Sequence, residues 1–199
     1  MIQNLQRIQI KLPSNAPASL NLDPLLAIFG RWRKDMEDPA EWVDLADYGH
    51  MLRGPGIVLA GMRVNLAFDM DEPHPGFLYT SRKGLAGSNQ ERIASAFQSC
   101  FSYAKRLLGE KEFPSGVELL PGPVELRFID RLETPNTAAT DKELRPILSK
   151  VLDSLFGPGD YSLEQQTGSG ESYGFRIYVA KPERFELLLN GNGVATKRP

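Results

Sequence analysis

Side chains able to do chemistry gather in one stretch of this chain. Asp47-Tyr48-Gly49-His50 and Arg53-Gly54-Pro55-Gly56 form a polar connection just ahead of an apolar strand. Asn65 and Asp69 fall on the polar side of the following segment. Tyr79, Arg82 and Lys83 close that meander, and Asn89 and Arg92 open a long helical pattern. Convergent cations, carboxylates and an imidazole would suit a small anionic or polar ligand. Arg82 offers a planar fork that matches a carboxylate or phosphate, and the glycines would let a ligand approach the backbone. A pocket lined by His50, Asn65, Asp69, Tyr79, Arg82 and Asn89 is therefore the expected binding site. If the chain is an enzyme, His50 is the residue suited to acid/base work. The plainer alternative is that each group caps a turn or meets solvent, as most polar residues on a half-buried sheet do.

The remaining motifs are better explained by structure. Gly170-Glu171-Ser172-Tyr173-Gly174 fits the nucleophile-elbow pattern. That pattern needs a helix after the serine and a histidine later in the chain. Here an alternating strand follows, and His50 and His74 both precede it. The glycine-rich stretch Thr167 to Gly174 has no Lys-Ser or Lys-Thr behind it and opens no helix, so a phosphate cradle is not indicated. Cys100 lies between Phe97 and Phe101 on an apolar stripe, where a thiol acts as a small core residue. Asp47, His50, Asp69, Asp71 and His74 are metal-ligand types without a compact ligand spacing, and Pro73-His74-Pro75 reads as an exposed hairpin tip. Asp130 falls on the face shared by Val124, Leu126, Phe128 and Leu132, where a carboxylate needs a partner. Bonds to loop backbone N–H groups are expected there. Arg31, Arg33 and Lys34 read as a solvated helix face, with Trp32 on the apolar stripe between them.

The elements that must position these groups follow from periodicity. Arg7 to Leu12 alternates as a half-buried strand. Asp23-Pro24 opens a helix expected over 24–36, with Leu25, Ile28, Phe29, Trp32 and Met36 on one stripe. Strands are expected at Trp42 to Asp47, from Ile57, through Val64 to Met70, and at Phe77 to Ser81. Ser88 and Glu91 make a capping box for a helix over 88–108. An irregular stretch, Gly109 to Pro123, precedes a strand from Val124. A helix carrying Leu148 and Leu152 is expected to begin properly near Pro146, because a proline ring disfavours a helix interior. Tyr161 to Gln165 and Tyr173 to Val179 pair as strands, and Pro182 to Leu189 makes a last short helix.

Residues 7–70 and 124–180 share the order strand, helix, strand, strand, so the halves can be laid side by side as an internal pseudo-repeat. The expected fold is α+β: a mainly antiparallel sheet from two similar halves, with helices packed on one face. Residues 1–190 are expected to form a single domain, followed by a polar C-terminal tail over 191–199.

Composition narrows the function classes. The chain has 199 residues, 41% hydrophobic and 24% charged, with a net charge of −2. That balance gives no field suited to nucleic acid or an anionic membrane. One cysteine cannot form an internal disulfide, and no apolar run approaches a membrane span, so a cytoplasmic location is expected. The expected function is a non-catalytic binding or interaction module whose partner is an unknown protein or a small polar ligand, without cofactor or metal. The alternatives are a small-molecule enzyme using His50, and a dimeric adaptor or chaperone-like protein acting as a homodimer.

Overall fold

A computed structural model describes residues 2–51, 54–71, 73–166 and 172–191. Both halves build one eight-stranded antiparallel sheet. In chain order the elements are β1 (Ile8–Pro13), α1 (Asp23–Trp32), β2 (Trp42–Asp47), β3 (Ile57–Gly61), β4 (Val64–Asp69), β5 (Gly76–Ser81), α2 (Asn89–Leu108), β6 (Val124–Phe128), α3 (Ala138–Phe156), β7 (Tyr161–Gln165), β8 (Tyr173–Val179) and α4 (Pro182–Leu189). The strand order is β2-β3-β4-β5-β1-β6-β8-β7. The central pair, β1 with β6, joins the first half of the chain to the second. In each half the strand after the helix, β2 or β7, lies at an outer edge.

Period-2 alternation decides what each face of the sheet meets. Ile8, Ile10 and Leu12 are fully buried, and their cross-strand neighbours Phe77, Tyr79, Leu126 and Phe128 continue the same face. The helices supply the other side of this core through Leu25, Ile28, Phe29 and Trp32 of α1, Phe97 and Phe101 of α2, and Leu148 and Leu152 of α3. Each helix has a single apolar stripe, so all of them lie on one face. Among the described residues no helix covers the opposite face of the sheet.

Three boundaries differ from the periodic reading. Helix α1 stops at Trp32, and Met36 is 91% exposed. Beyond Trp32, the carboxylates of Asp35 and Asp38 accept the backbone N–H groups of Glu37 and Ala40, a local alternative to helical bonding. Asp38 is then fixed against α2 by the Tyr103 hydroxyl at 2.8 Å and Arg106 at 2.7 Å. Helix α3 begins at Ala138, not near Pro146, with the Thr137 hydroxyl accepting from the Thr140 N–H. Pro146 sits inside it with its ring exposed, and Leu144 and Leu148 on either side are fully buried. Tertiary packing of the stripe outweighs the lost hydrogen bond. Leu132 is 97% exposed, because β6 ends at Phe128 and the chain turns there. Asp130 makes that turn, accepting from the Leu132 and Glu133 N–H groups as its position suggested.

The expected capping box is formed, with Ser88 and Glu91 bonding each other's backbone N–H groups. Cys100 is fully buried on the α2 stripe, and burial pushes its thiol well above the ordinary value. Among the described residues no helix is long and apolar enough to cross a membrane.

Two measurements check this packing. Leu148→Ala should lower unfolding free energy by about 2–5 kcal/mol; a loss below about 1 kcal/mol would mean that this stripe does not face the core. In the first turn of α3, bonds from Arg145 and from the Tyr173 hydroxyl hold the Asp141 carboxyl below its ordinary value of 3.8. A lowered carboxylate stabilises the fold fully above the unfolded value, and that contribution fades as pH falls through the folded one. Asp141→Asn should therefore reduce stability at neutral pH, and its deficit against the wild type should shrink below about pH 4 in an acid titration.

Candidate functional site

The face of the sheet without helices carries the other half of every alternation. Register aligns these side chains in rows. One row runs Glu164 (β7), Arg176 (β8), Glu125 (β6), Lys11 (β1), Leu78 (β5) and Ala67 (β4). Its charged half alternates in sign across neighbouring strands, which is the stabilising arrangement for directly opposed residues. Lys11 is 7% exposed and pairs with Asp69 at 2.8 Å. Glu125, also 7% exposed, accepts from Arg127 at 2.8 Å and lies 4.0 Å from Arg176. His74 approaches Glu125 at 3.7 Å, so the β4–β5 connection folds over this face and is not a free hairpin tip. Lys11 also reaches the Asp71 carbonyl of that connection.

One end of the face is different. A cavity of about 440 Å³ is lined by Arg7, Met62, Asn65, Thr80, Ser81, Arg82, Lys83 and Ile129. It is assembled from the entry to β1, the β3–β4 turn, β4, the exit from β5 and the residue after β6. Arg82 is held by a 2.8 Å bond from Nη1 to the Gly61 carbonyl, and its backbone N–H donates to the Arg63 carbonyl. The Asn65 side-chain oxygen accepts from the Gly61 N–H, leaving its amide NH₂ group as a donor. Thr80 Oγ1 accepts from Gln9, so its hydroxyl proton is free to point outward.

The six residues expected to line one pocket are dispersed. Asn65 and Arg82 share the cavity just described. His50 lies at the far end of the strands, in the β2–β3 connection, within a cleft of about 640 Å³ that includes Asn21, Asp23, Asp47 and Tyr48. The row containing Ile57 and Phe77 is at that end, whereas Arg82 follows Ser81 at the other. From Phe77 to Ser81 the rise along β5 alone is roughly 13 Å, so Arg82 and His50 cannot contact one small ligand. Among the described residues no hydrogen bond reaches the His50 side chain; Arg53, beside it in sequence, lies outside them. Asp69 is committed to Lys11. Tyr79 is 1% exposed on the helix side, where burial pushes its hydroxyl up to about 12. It is not a pocket residue as expected, because its parity with the buried Phe77 turns it into the core. Asn89 ties down the N-terminal segment, accepting from the Leu5 N–H and donating to the Ile2 carbonyl at 2.7 Å.

Sequence reading missed Arg7, Thr80 and Glu125 as site residues. Their strand parity was legible, but only cross-strand register brings Arg7 beside the end of β5 and Glu125 beside Lys11. Of the glycine-rich motif, Ser172 to Gly174 enters β8, a strand and not a helix, while 167–171 lie outside the described residues. Among the described residues no group of three His, Cys, Asp or Glu side chains is placed to hold a metal.

The charge row yields a prediction. Glu125→Gln leaves Arg127 and Arg176 without their shared carboxylate, and should cost about 1–3 kcal/mol. In urea the midpoint should fall with an unchanged slope; an unchanged midpoint would show that solvent replaces these pairs at no cost.

Comparison with protein-family models, with curated proteins and with solved structures finds no match to this chain.

Proposed function

We propose that this protein is a binding module that works through the helix-free face of its sheet, and that it is not a catalyst. The carrying observation is the division of labour between the two faces. The helix side is a continuous apolar core, while the other side presents a graded surface: alternating charges over β7, β8, β6 and β1, small and apolar residues over β5, β4 and β3, and a cationic cavity at one end. The graded pattern suits recognition, in which complementary charge fixes orientation and apolar surface adds affinity. An enzyme built on His50 is less well supported. Its imidazole is exposed, and the cation expected to hold the substrate is at the opposite end of the sheet.

A thermal-shift panel of nucleotides, metabolites, peptides and metals tests this reading, because a ligand that binds only the folded state raises the melting temperature by mass action. Each hit would then be mapped by NMR and checked for chemical change by mass spectrometry. The expected result is a binder that is recovered intact and shifts Gln9, Asn65, Thr80 or Arg127. Turnover of the hit, or shifts confined to the helical layer, would overturn it.

A further inference from the structure

The cavity between the ends of β1, β4, β5 and β6 contains an arrangement that folding alone does not favour. In the β1–β5 register Gln9 faces Thr80, and just beyond the ends of these strands Arg7 and Arg82 line one cavity, with Lys83 next in the chain. Like charges gathered around one cavity repel one another. Elsewhere on this face every cation has a carboxylate: Lys11 has Asp69, Arg127 has Glu125, and Arg176 has Glu125 and Glu164, all within 4.0 Å. Among the described residues, Arg7, Arg82 and Lys83 have none within that distance, although all three line one cavity. The nearby Arg63 is neutralised by Glu41 at 2.7 Å.

We propose that this cavity is a binding site for a small polyanion, a phosphate ester or a polycarboxylate, whose charge supplies the missing partner of Arg7, Arg82 and Lys83. The lining provides donors of the required kind. Two guanidinium groups offer planar forks for paired oxygens, and Lys83 offers a compact ammonium. The Asn65 amide and Thr80 hydroxyl add neutral donors, and among the described residues no carboxylate belongs to the lining to oppose an anion. Arg82 is pre-positioned by its bond to the Gly61 carbonyl, so little side-chain freedom remains to be lost there on binding. Met62 and Ile129 give the walls an apolar component, which suits an anion carried on a small organic body. A volume of about 440 Å³ admits a metabolite-sized ligand.

The inference rests on the helix-free face being the working surface, and it can fail separately. Calorimetric titration of the full chain with sodium pyrophosphate and with sodium citrate, at matched ionic strength, is the test. At least one should bind with a submillimolar Kd, and the tighter of the two identifies phosphate or carboxylate as the preferred source of charge. Arg7→Gln and Lys83→Gln, which remove no side-chain hydrogen bond among the described residues, should each weaken binding about tenfold or more, while Lys150→Gln on the exposed side of α3 should leave it unchanged. Arg82→Gln should weaken binding further, but it also loses the bond to Gly61, so the first two variants decide between the outcomes. No binding of either anion would overturn the proposal, as would equal weakening by Lys150→Gln. A single-stranded oligonucleotide that binds more tightly than both anions would also overturn it, pointing to nucleic acid instead. If both anions fail while other compounds still shift Gln9 or Arg127, the cavity proposal falls and the binding-face reading stands.

Discussion

Everything in this molecule depends on β1 being paired on both sides while facing two unlike media. Its backbone is bonded to β5 on one side and β6 on the other, which joins the two halves of the chain into one sheet. Ile8, Ile10 and Leu12 are sealed beneath the helices, and Gln9 and Lys11 must occupy the opposite face. Because side chains alternate, a one-residue slip would bury a lysine in the core and expose three large apolar groups. The core therefore locks the register, and the register dictates which polar groups become neighbours on the outer face.

That dependence explains why the elements were legible and the site was not. Alternation in β1, β4 and β6, the Ser88–Glu91 capping box and the stripe of α2 are local signals, and the structure follows them. Met36 and Leu132 misled because an apolar residue at the right spacing says nothing about where the chain stops. Asp38 held by Tyr103 and Arg106, and Asp130 bonded to its own loop, end those elements. Pro146 misled in the opposite direction, since its local penalty is outweighed by the buried residues on either side. The candidate cavity is a further step removed. Arg7 and Arg82 are far apart in sequence, and only the antiparallel return of β5 onto β1 makes them adjacent. Residues 47–92 look like a site when read along the chain, but the meander carries His50 and Arg82 to opposite ends.

The outer face also shows how a sheet tolerates uncovered charge. Lys11 and Glu125 are each only 7% exposed, and charges so far out of water are costly without a partner. Asp69 serves the first, while Arg127 and Arg176 serve the second. The β4–β5 connection adds cover, bringing the Asp71 carbonyl and His74 over the same spot. This neutralised strip is a structural solution, and it sets apart Arg7 and Arg82 at the end of the same face, which have no carboxylate partner among the described residues.

Cavity and fold are also coupled by geometry. The Ile129 N–H donates to the Arg7 carbonyl at 3.0 Å, so the second half of the chain fixes the backbone that carries one of the cations. On the other side, the Ser81 hydroxyl holds the β1 entry through the Gln6 carbonyl and the Ile8 N–H, which keeps Arg7 and Arg82 on one cavity. Arg7, Arg82 and Lys83 all belong to the first half of the chain, and the second half adds Ile129 to the wall of the same cavity. The complete lining therefore needs β1 paired with both β5 and β6, which is also the condition for a closed core. Pairing of β6 with β1 helps to fix where Arg7 stands, and Ile129, the residue after β6, lines the same cavity, so the second half of the chain bears on this end of the face through both its backbone and a side chain.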